Sequence, residues 1–118
     1  MKNNHIVVLI TSKNAEEAEK LSRGLVKEKL AYCVNTIPGI QSTYFWNGKV
    51  CVDNELLLIA KTRLNQFPKL EQWVSINHSY DIPEIIALPL TAGSKPYLKC
   101  INDWVPESYP PPQALPKE

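Results

Sequence analysis

The chain has 118 residues, 44% hydrophobic and 21% charged, with 13 basic against 12 acidic side chains. That length supports one domain with a real core, and the balanced charge leaves no electrostatic footprint for nucleic acid or an anionic membrane. The N-terminal apolar run, Ile6 to Ile10, is too short for a membrane span or a secretory signal, so a cytoplasmic location is expected.

Cys33, Cys51 and Cys100 make an odd set at wide spacing, with no Cys-x-x-Cys. This speaks against a disulfide framework and a structural zinc site.

His5 to Thr11 is apolar and β-branched and is bounded by Ser12-Lys13-Asn14, the pattern of a buried central strand. Asn14 is positioned to cap a helix, with Glu17 three residues on to close a capping box. Ala18, Leu21 and Leu25 then recur at helical spacing, with charged residues opposite, which predicts a helix over Ala15–Lys29 lying on the sheet.

Tyr32 to Trp46 and Lys49 to Thr62 read as two long strands folded back at Asn47-Gly48. Asn-Gly between strand-like runs is a strong hairpin signal, because a type I′ turn needs positive φ at both central residues. Each arm spans about 14 residues, roughly 45 Å at strand rise, well beyond the usual strand. Pro38-Gly39 interrupts the first arm and predicts a bulge. Leu56 to Ala60 is apolar on both faces, so both faces need cover. The helix can cover one; a second helix or another subunit must cover the other.

Phe67-Pro68 opens a second helix carrying Leu70, Trp73, Val74 and Asn77 on one stripe and ending near His78. Ile85 to Leu88 is a short strand. Ser94 caps a final short helix with Tyr97, Ile101 and Trp104 on one face, a position that also suggests a core role for Cys100. Five of the ten prolines then fall between Pro106 and Pro116, which reads as an extended tail. The organisation expected is one domain over 1–105 and a proline-rich tail over 106–118. The order of elements is the ferredoxin-like βαββαβ sandwich, of class α+β, with a long β2–β3 hairpin and a short C-terminal helix.

The residues that carry candidate chemistry are few. Cys33 is either a buried small hydrophobe or a soft thiolate ligand suited to Cu(I). His78 is either a helix C-terminal cap or an imidazole ligand for copper, zinc or nickel. Tyr44, Phe45 and Trp46 sit beside the turn, where a subunit interface and a stacking platform are both open readings. Lys61 and Glu84 suit an inter-subunit ion pair. No nucleotide-binding loop, nucleophile elbow or His-Glu-x-x-His is present, and no carboxylate pair is placed for acid–base work. No enzymatic activity is therefore expected, and no cofactor is required.

Cys33-Val34-Asn35, Ile37-Pro38-Gly39-Ile40, Ser42, Tyr44, Trp46 and Gly48-Lys49 together resemble the signature of the CutA family, the divalent-cation tolerance proteins. Glu55, Leu57 to Thr62, His78-Ser79-Tyr80, Pro83-Glu84-Ile85, Leu88-Pro89 and Tyr97-Leu98 agree with it in order, over roughly Ile6 to Trp104. The resemblance implies a ferredoxin-like protomer in a homotrimer whose hairpins pack on neighbouring subunits. It also implies a response to metal ions, with Cu(I), Cu(II) or another divalent cation as ligand and Cys33 and His78 as candidate donors. Self and metal ions are then the expected partners, with no nucleic acid and no membrane. The chain departs from the pattern at Cys100, where the family often carries Trp, and in the proline-rich extension. A second reading rests on analogy with the PII signalling proteins, also ferredoxin-like trimers: a sensor or scaffold holding a small molecule or protein partner in inter-subunit clefts.

Overall fold

The computed structural model describes residues 4–107. The tail expected over 106–118 lies outside these except for Pro106 and Glu107. The elements in order are β1 (His5–Ser12), α1 (Ala15–Lys27), β2 (Cys33–Trp46), β3 (Lys49–Arg63), a 3-10 turn (Leu64–Gln66), α2 (Phe67–Asn77), β4 (Ile85–Pro89) and α3 (Lys95–Trp104). The four strands form one antiparallel sheet in the order β2-β3-β1-β4. This interleaves two split βαβ units, the ferredoxin-like α+β arrangement.

The core lies on one face of the sheet. Val8 and Ile10 of β1, Leu58 and Ala60 of β3, Ala18, Leu21 and Leu25 of α1, and Leu70 and Val74 of α2 form one buried cluster. Strand alternation and helical spacing place exactly these side chains inward. Both long helices therefore cover the same face. Where they cross, Gly24 lets the Trp73 ring approach so closely that a Cβ would lie 2.2 Å from it.

The opposite face carries Val7, Leu9, Leu57 and Ile59, all half-buried, with Ile37, Ile86 and Leu88 43%, 50% and 48% exposed. α3 reaches only one end of it, where His5 bonds to Asn102 and Arg63 donates to the Val105 carbonyl at 3.0 Å. The second helix, α2, packs on the core face beside α1, and among the described residues this opposite face is left partly uncovered.

The local signals resolve in detail. Asn14 caps α1 through Oδ1, which accepts from the Glu17 N–H at 2.8 Å. The reciprocal half of the box does not close: the Glu17 carboxylate reaches further back, to the Ser12 hydroxyl at 2.8 Å and the Lys13 N–H at 3.1 Å. α1 ends at Lys27, two residues before the expected Lys29, because Lys29 turns left-handed at φ 61°. The Leu30 N–H then returns to the Leu25 carbonyl at 2.9 Å, closing the helix end and burying Leu30.

In the hairpin, Asn47 and Gly48 have φ 51° and 78°, and Tyr44 pairs with Cys51, Phe45 with Val50 and Trp46 with Lys49. The pairing shifts between Ile37 and Ile40, at the bulge expected from Pro38-Gly39.

Candidate functional site

Beyond the bulge, Ser42, Tyr44 and Trp46 alternate onto the face of β2 that also carries Asp53 and Glu55 of β3. The segment between α2 and β4 passes over the same end of the sheet and brings Tyr80, Asp81 and Glu84 against it. The space between is a cleft of about 750 Å³ walled by these residues, with Thr11 and Ser79 at its inner end.

The cleft is acidic and aromatic. Asp53, Glu55, Asp81 and Glu84 all line it, and among the described residues no Lys, Arg or His does. The Tyr44 hydroxyl donates to Asp53, and the Tyr80 hydroxyl donates to Glu55 Oε2 at 2.6 Å. The Asp53 hydrogen bond pushes the Tyr44 phenol up to about 12. Burial and the Glu55 hydrogen bond push the Tyr80 phenol up as well. Both phenols thus stay protonated as donors at neutral pH.

The wall is held from behind by a buried polar node. His78 donates from Nε2 to the Thr11 carbonyl at 2.7 Å, and its Nδ1 accepts the Tyr80 N–H at 3.1 Å. A carbonyl can only accept and an amide N–H can only donate, so these partners fix the tautomer. Glu17 Oε2 accepts the Ser79 N–H at 2.8 Å. Burial by itself would raise the Glu17 carboxyl, but hydrogen bonds from Ser79, Ser12 and the Lys13 N–H outweigh it and hold the group at about 2.

Cys33 lies elsewhere. It pairs with Lys61, which in turn pairs with Val7, whereas His78 is bonded at Thr11. Four residues along β1 are roughly 13 Å, so one ion cannot take Cys33 and His78 of the same protomer. Around Cys33 stand Lys61, whose Nζ is 4.0 Å from the sulfur, and Tyr97. Burial and a hydrogen bond to Cys33 push the Tyr97 phenol up to about 12.

Tyr32 meets Tyr97 edge-on with centroids 5.6 Å apart, and a hydrogen bond to Cys100 raises the Tyr32 phenol. Cys100 is half-buried beside these rings instead of in the core. The reason is that Ile101, not Cys100, takes the inward position of α3. Among the described residues, no three His, Cys, Asp or Glu side chains converge as metal ligands.

Of the residues expected at an interface, Tyr44, Trp46 and Glu84 line the cleft. Phe45 points to the other side of the hairpin and is 70% exposed. Lys61 and Glu84 make no ion pair within the protomer among the described residues. Sequence reasoning misses Asp53 and Asp81, and it carries Glu55 as a motif residue without placing it beside Glu84. Their convergence comes from the hairpin register and the 78–84 crossing, not from any local motif.

Residues 6–104 match the sequence profile of the CutA1 divalent ion tolerance protein family. Among curated relatives, the chloroplastic protein CutA of Arabidopsis thaliana is 51% identical over 83% of this chain and 54% of its own length. The divalent-cation tolerance protein CutA of Thermus thermophilus is 47% identical over 86% of this chain and 95% of its own. The chain thus spans about half the length of the plant relative and nearly all of the bacterial one.

The crystal structure of CutA1 from Oryza sativa superposes with a TM-score of 0.86 at 46% identity, covering 89% of this chain and 96% of that one. The structure of the periplasmic divalent cation tolerance protein CutA of Archaeoglobus fulgidus gives 0.84 at 38% identity, covering 86% and 99%. No described helix is long and apolar enough to cross a membrane.

Proposed function

The chain belongs to the CutA1 divalent ion tolerance family, and we propose that it serves metal-ion tolerance as a homotrimeric, cytoplasmic binding protein, not as an enzyme. The observation that carries this reading is the family match over 6–104, which takes in the hairpin, the cleft and Cys33 together. The apolar sheet face that runs from Ile59 across Leu9 to Ile86 supports assembly, since closed cyclic association is the common way to cover such a face.

Copper or another divalent cation is the proposed ligand. Cys33 supplies the soft donor for Cu(I), and the cleft carboxylates suit harder cations. His78 is the weaker candidate, because it would have to release Thr11 or Tyr80 to bind. One protomer brings no three such donors together among the described residues, so in this reading symmetry-related copies complete the coordination. Phe45 at the hairpin tip, with Lys61 and Glu84 as ion-pair partners across the boundary, would join the subunits. Calorimetric titration of the assembled protein with Cu(I) under reducing conditions, and with Cu(II), tests it. Saturable binding lost in Cys33→Ser is expected; absence of saturable binding overturns the metal assignment.

A second reading has its own observation. A cleft of about 750 Å³ with Tyr44, Trp46 and Tyr80 in its walls has the size and lining of an organic-ligand site. It favours a trimeric sensor that holds a small molecule. Thermal-shift screening that finds metals but no small molecule stabilising the protein would dismiss it.

A further inference from the structure

Tyr32 directly precedes Cys33, the first residue of β2, and Tyr97 and Cys100 stand one turn apart on α3. The two tyrosine rings meet edge-on with centroids 5.6 Å apart, which sets the two cysteine-bearing segments against each other. The phenols cross over: the Tyr97 hydroxyl donates to Cys33, and the Tyr32 hydroxyl to Cys100. Each thiol is thus held by the tyrosine of the other's segment. Both thiols are free and half-buried. Cys51 stands apart from them at the far end of the hairpin, paired with Tyr44.

We propose that Cys33 and Cys100 form a reversible disulfide within the protomer, with a hydroperoxide as the oxidant. The Cys33 sulfur attacks the peroxide and breaks the O–O bond. It takes one oxygen as sulfenic acid, and the other leaves as alcohol or water. The Cys100 sulfur then displaces the sulfenic oxygen as water, and the S–S bond closes. One electron pair passes from the two thiols to the peroxide, and the thiol protons leave in the alcohol and water. A dithiol reductant reverses the bond by exchange. Reversible bonds of this kind are the sort that a reducing compartment permits.

Lys61 Nζ stands 4.0 Å from Cys33 Sγ and faces the charge that builds on this sulfur as it attacks, which makes Cys33 the first to react. An ammonium has three N–H donors, so an ion pair across a subunit boundary leaves this contact in place. A disulfide needs Cβ atoms about 3.8 Å apart, so both thiols must swing off their phenols and α3 must close on β2. α3 is free to do so there. Its anchors, the buried Ile101 and the Val105 carbonyl on Arg63, lie toward its C-terminal end, and no side chain from Lys95 to Cys100 is fully buried. Where Cys33 is the soft donor of the copper reading above, closing the bond withdraws it; formation of the bond does not rest on that reading.

The test uses the full chain carrying Cys51→Ser, in its native assembly, with a chelator present to exclude metal-catalysed oxidation. Hydrogen peroxide is added in stoichiometric amount, and the intact mass is read under denaturing, non-reducing conditions. A loss of about 2 Da per chain is expected, with both thiols lost to maleimide labelling and both restored by dithiothreitol. Peptide mapping of the unsubstituted chain without reduction should show the Cys33–Cys100 link with Cys51 still free, a readout that needs no variant to fold. With Cys33→Ser or Cys100→Ser added, the remaining thiol should gain oxygen instead of losing mass.

Oxidation that only adds oxygen while both thiols are present, a link between two chains, or a link through Cys51 overturns the proposal. The metal-free mass reads the disulfide alone, so its failure leaves the copper reading standing.

Discussion

Glu17 Oε2 accepts the backbone N–H of Ser79 at 2.8 Å, a contact that spans 62 residues of sequence. It ties the first turn of α1 to the segment that forms one wall of the cleft. The same carboxylate takes the Ser12 hydroxyl and the Lys13 N–H, so one buried side chain secures β1, α1 and the α2–β4 crossing. A stability limb at acid pH follows. The group sits at about 2 in the folded chain against an ordinary 4.5, so its contribution is fully present above about pH 4.5. It is lost as pH falls through about 2. The lowered value corresponds to about 3 kcal/mol. Glu17→Gln should cost about 2–3 kcal/mol at neutral pH, since one amide oxygen cannot serve all three donors, and should flatten the acid limb. Urea denaturation at pH 7 and at pH 3 measures both.

Gly24 and Trp73 make the second prediction. Alanine at an exposed helical position normally stabilises by up to about 1 kcal/mol over glycine. Here the added Cβ would lie 2.2 Å from the Trp73 ring. Gly24→Ala should therefore destabilise by about 1–3 kcal/mol through overpacking. The double variant with Trp73→Leu should recover part of that loss, and a double-mutant cycle on thermal unfolding reads the coupling.

The hairpin, the caps and the order of elements were legible because each is signalled locally. Asn47-Gly48 sets the register, Pro38-Gly39 the bulge, and Asn14 and Ser94 the helix starts. The end of α1 was placed two residues late because Lys29 is a lysine in a conformation that glycine usually marks. The cleft was only half legible. Tyr44, Trp46, Glu55, Tyr80 and Glu84 are legible as motif residues, but Asp53 and Asp81 are not, and the acidic residues form one site only where β3 and the 78–84 segment meet. His78 was flagged for its chemistry, yet its two nitrogens are committed to Thr11 and Tyr80, partners set by the fold.

That commitment separates His78 from Cys33 by experiment. His78→Ala removes one buried partner of Thr11 and of Tyr80, and should destabilise the chain by about 2–3 kcal/mol while leaving Cu(I) affinity within about 2-fold. Cys33→Ser should do the reverse, sparing the melting temperature and abolishing Cu(I) binding. Differential scanning calorimetry paired with copper titration gives both axes. A copper affinity that collapses in His78→Ala, with stability unchanged, would make the imidazole a ligand.

The partly uncovered sheet face offers a test of the proposed assembly. Ile86 and Leu88 stand 50% and 48% exposed, beside Val7, Leu9, Leu57 and Ile59, which are themselves only half-buried. A contiguous apolar face of this kind favours association by roughly 25 cal/mol per Å² removed from water. Light scattering should give about three times 13.4 kDa. A charge on this face opposes its burial in any closed assembly, so Ile86→Glu should shift the chain toward monomer at micromolar concentration. Ile76→Glu is the control: Ile76 is 74% exposed on α2, the helix packed on the opposite side of the sheet, and its substitution should leave the assembly intact. If both variants keep the wild-type mass, the Ile86 face is not the interface; if the unmodified chain is already a monomer, the trimer itself is refuted.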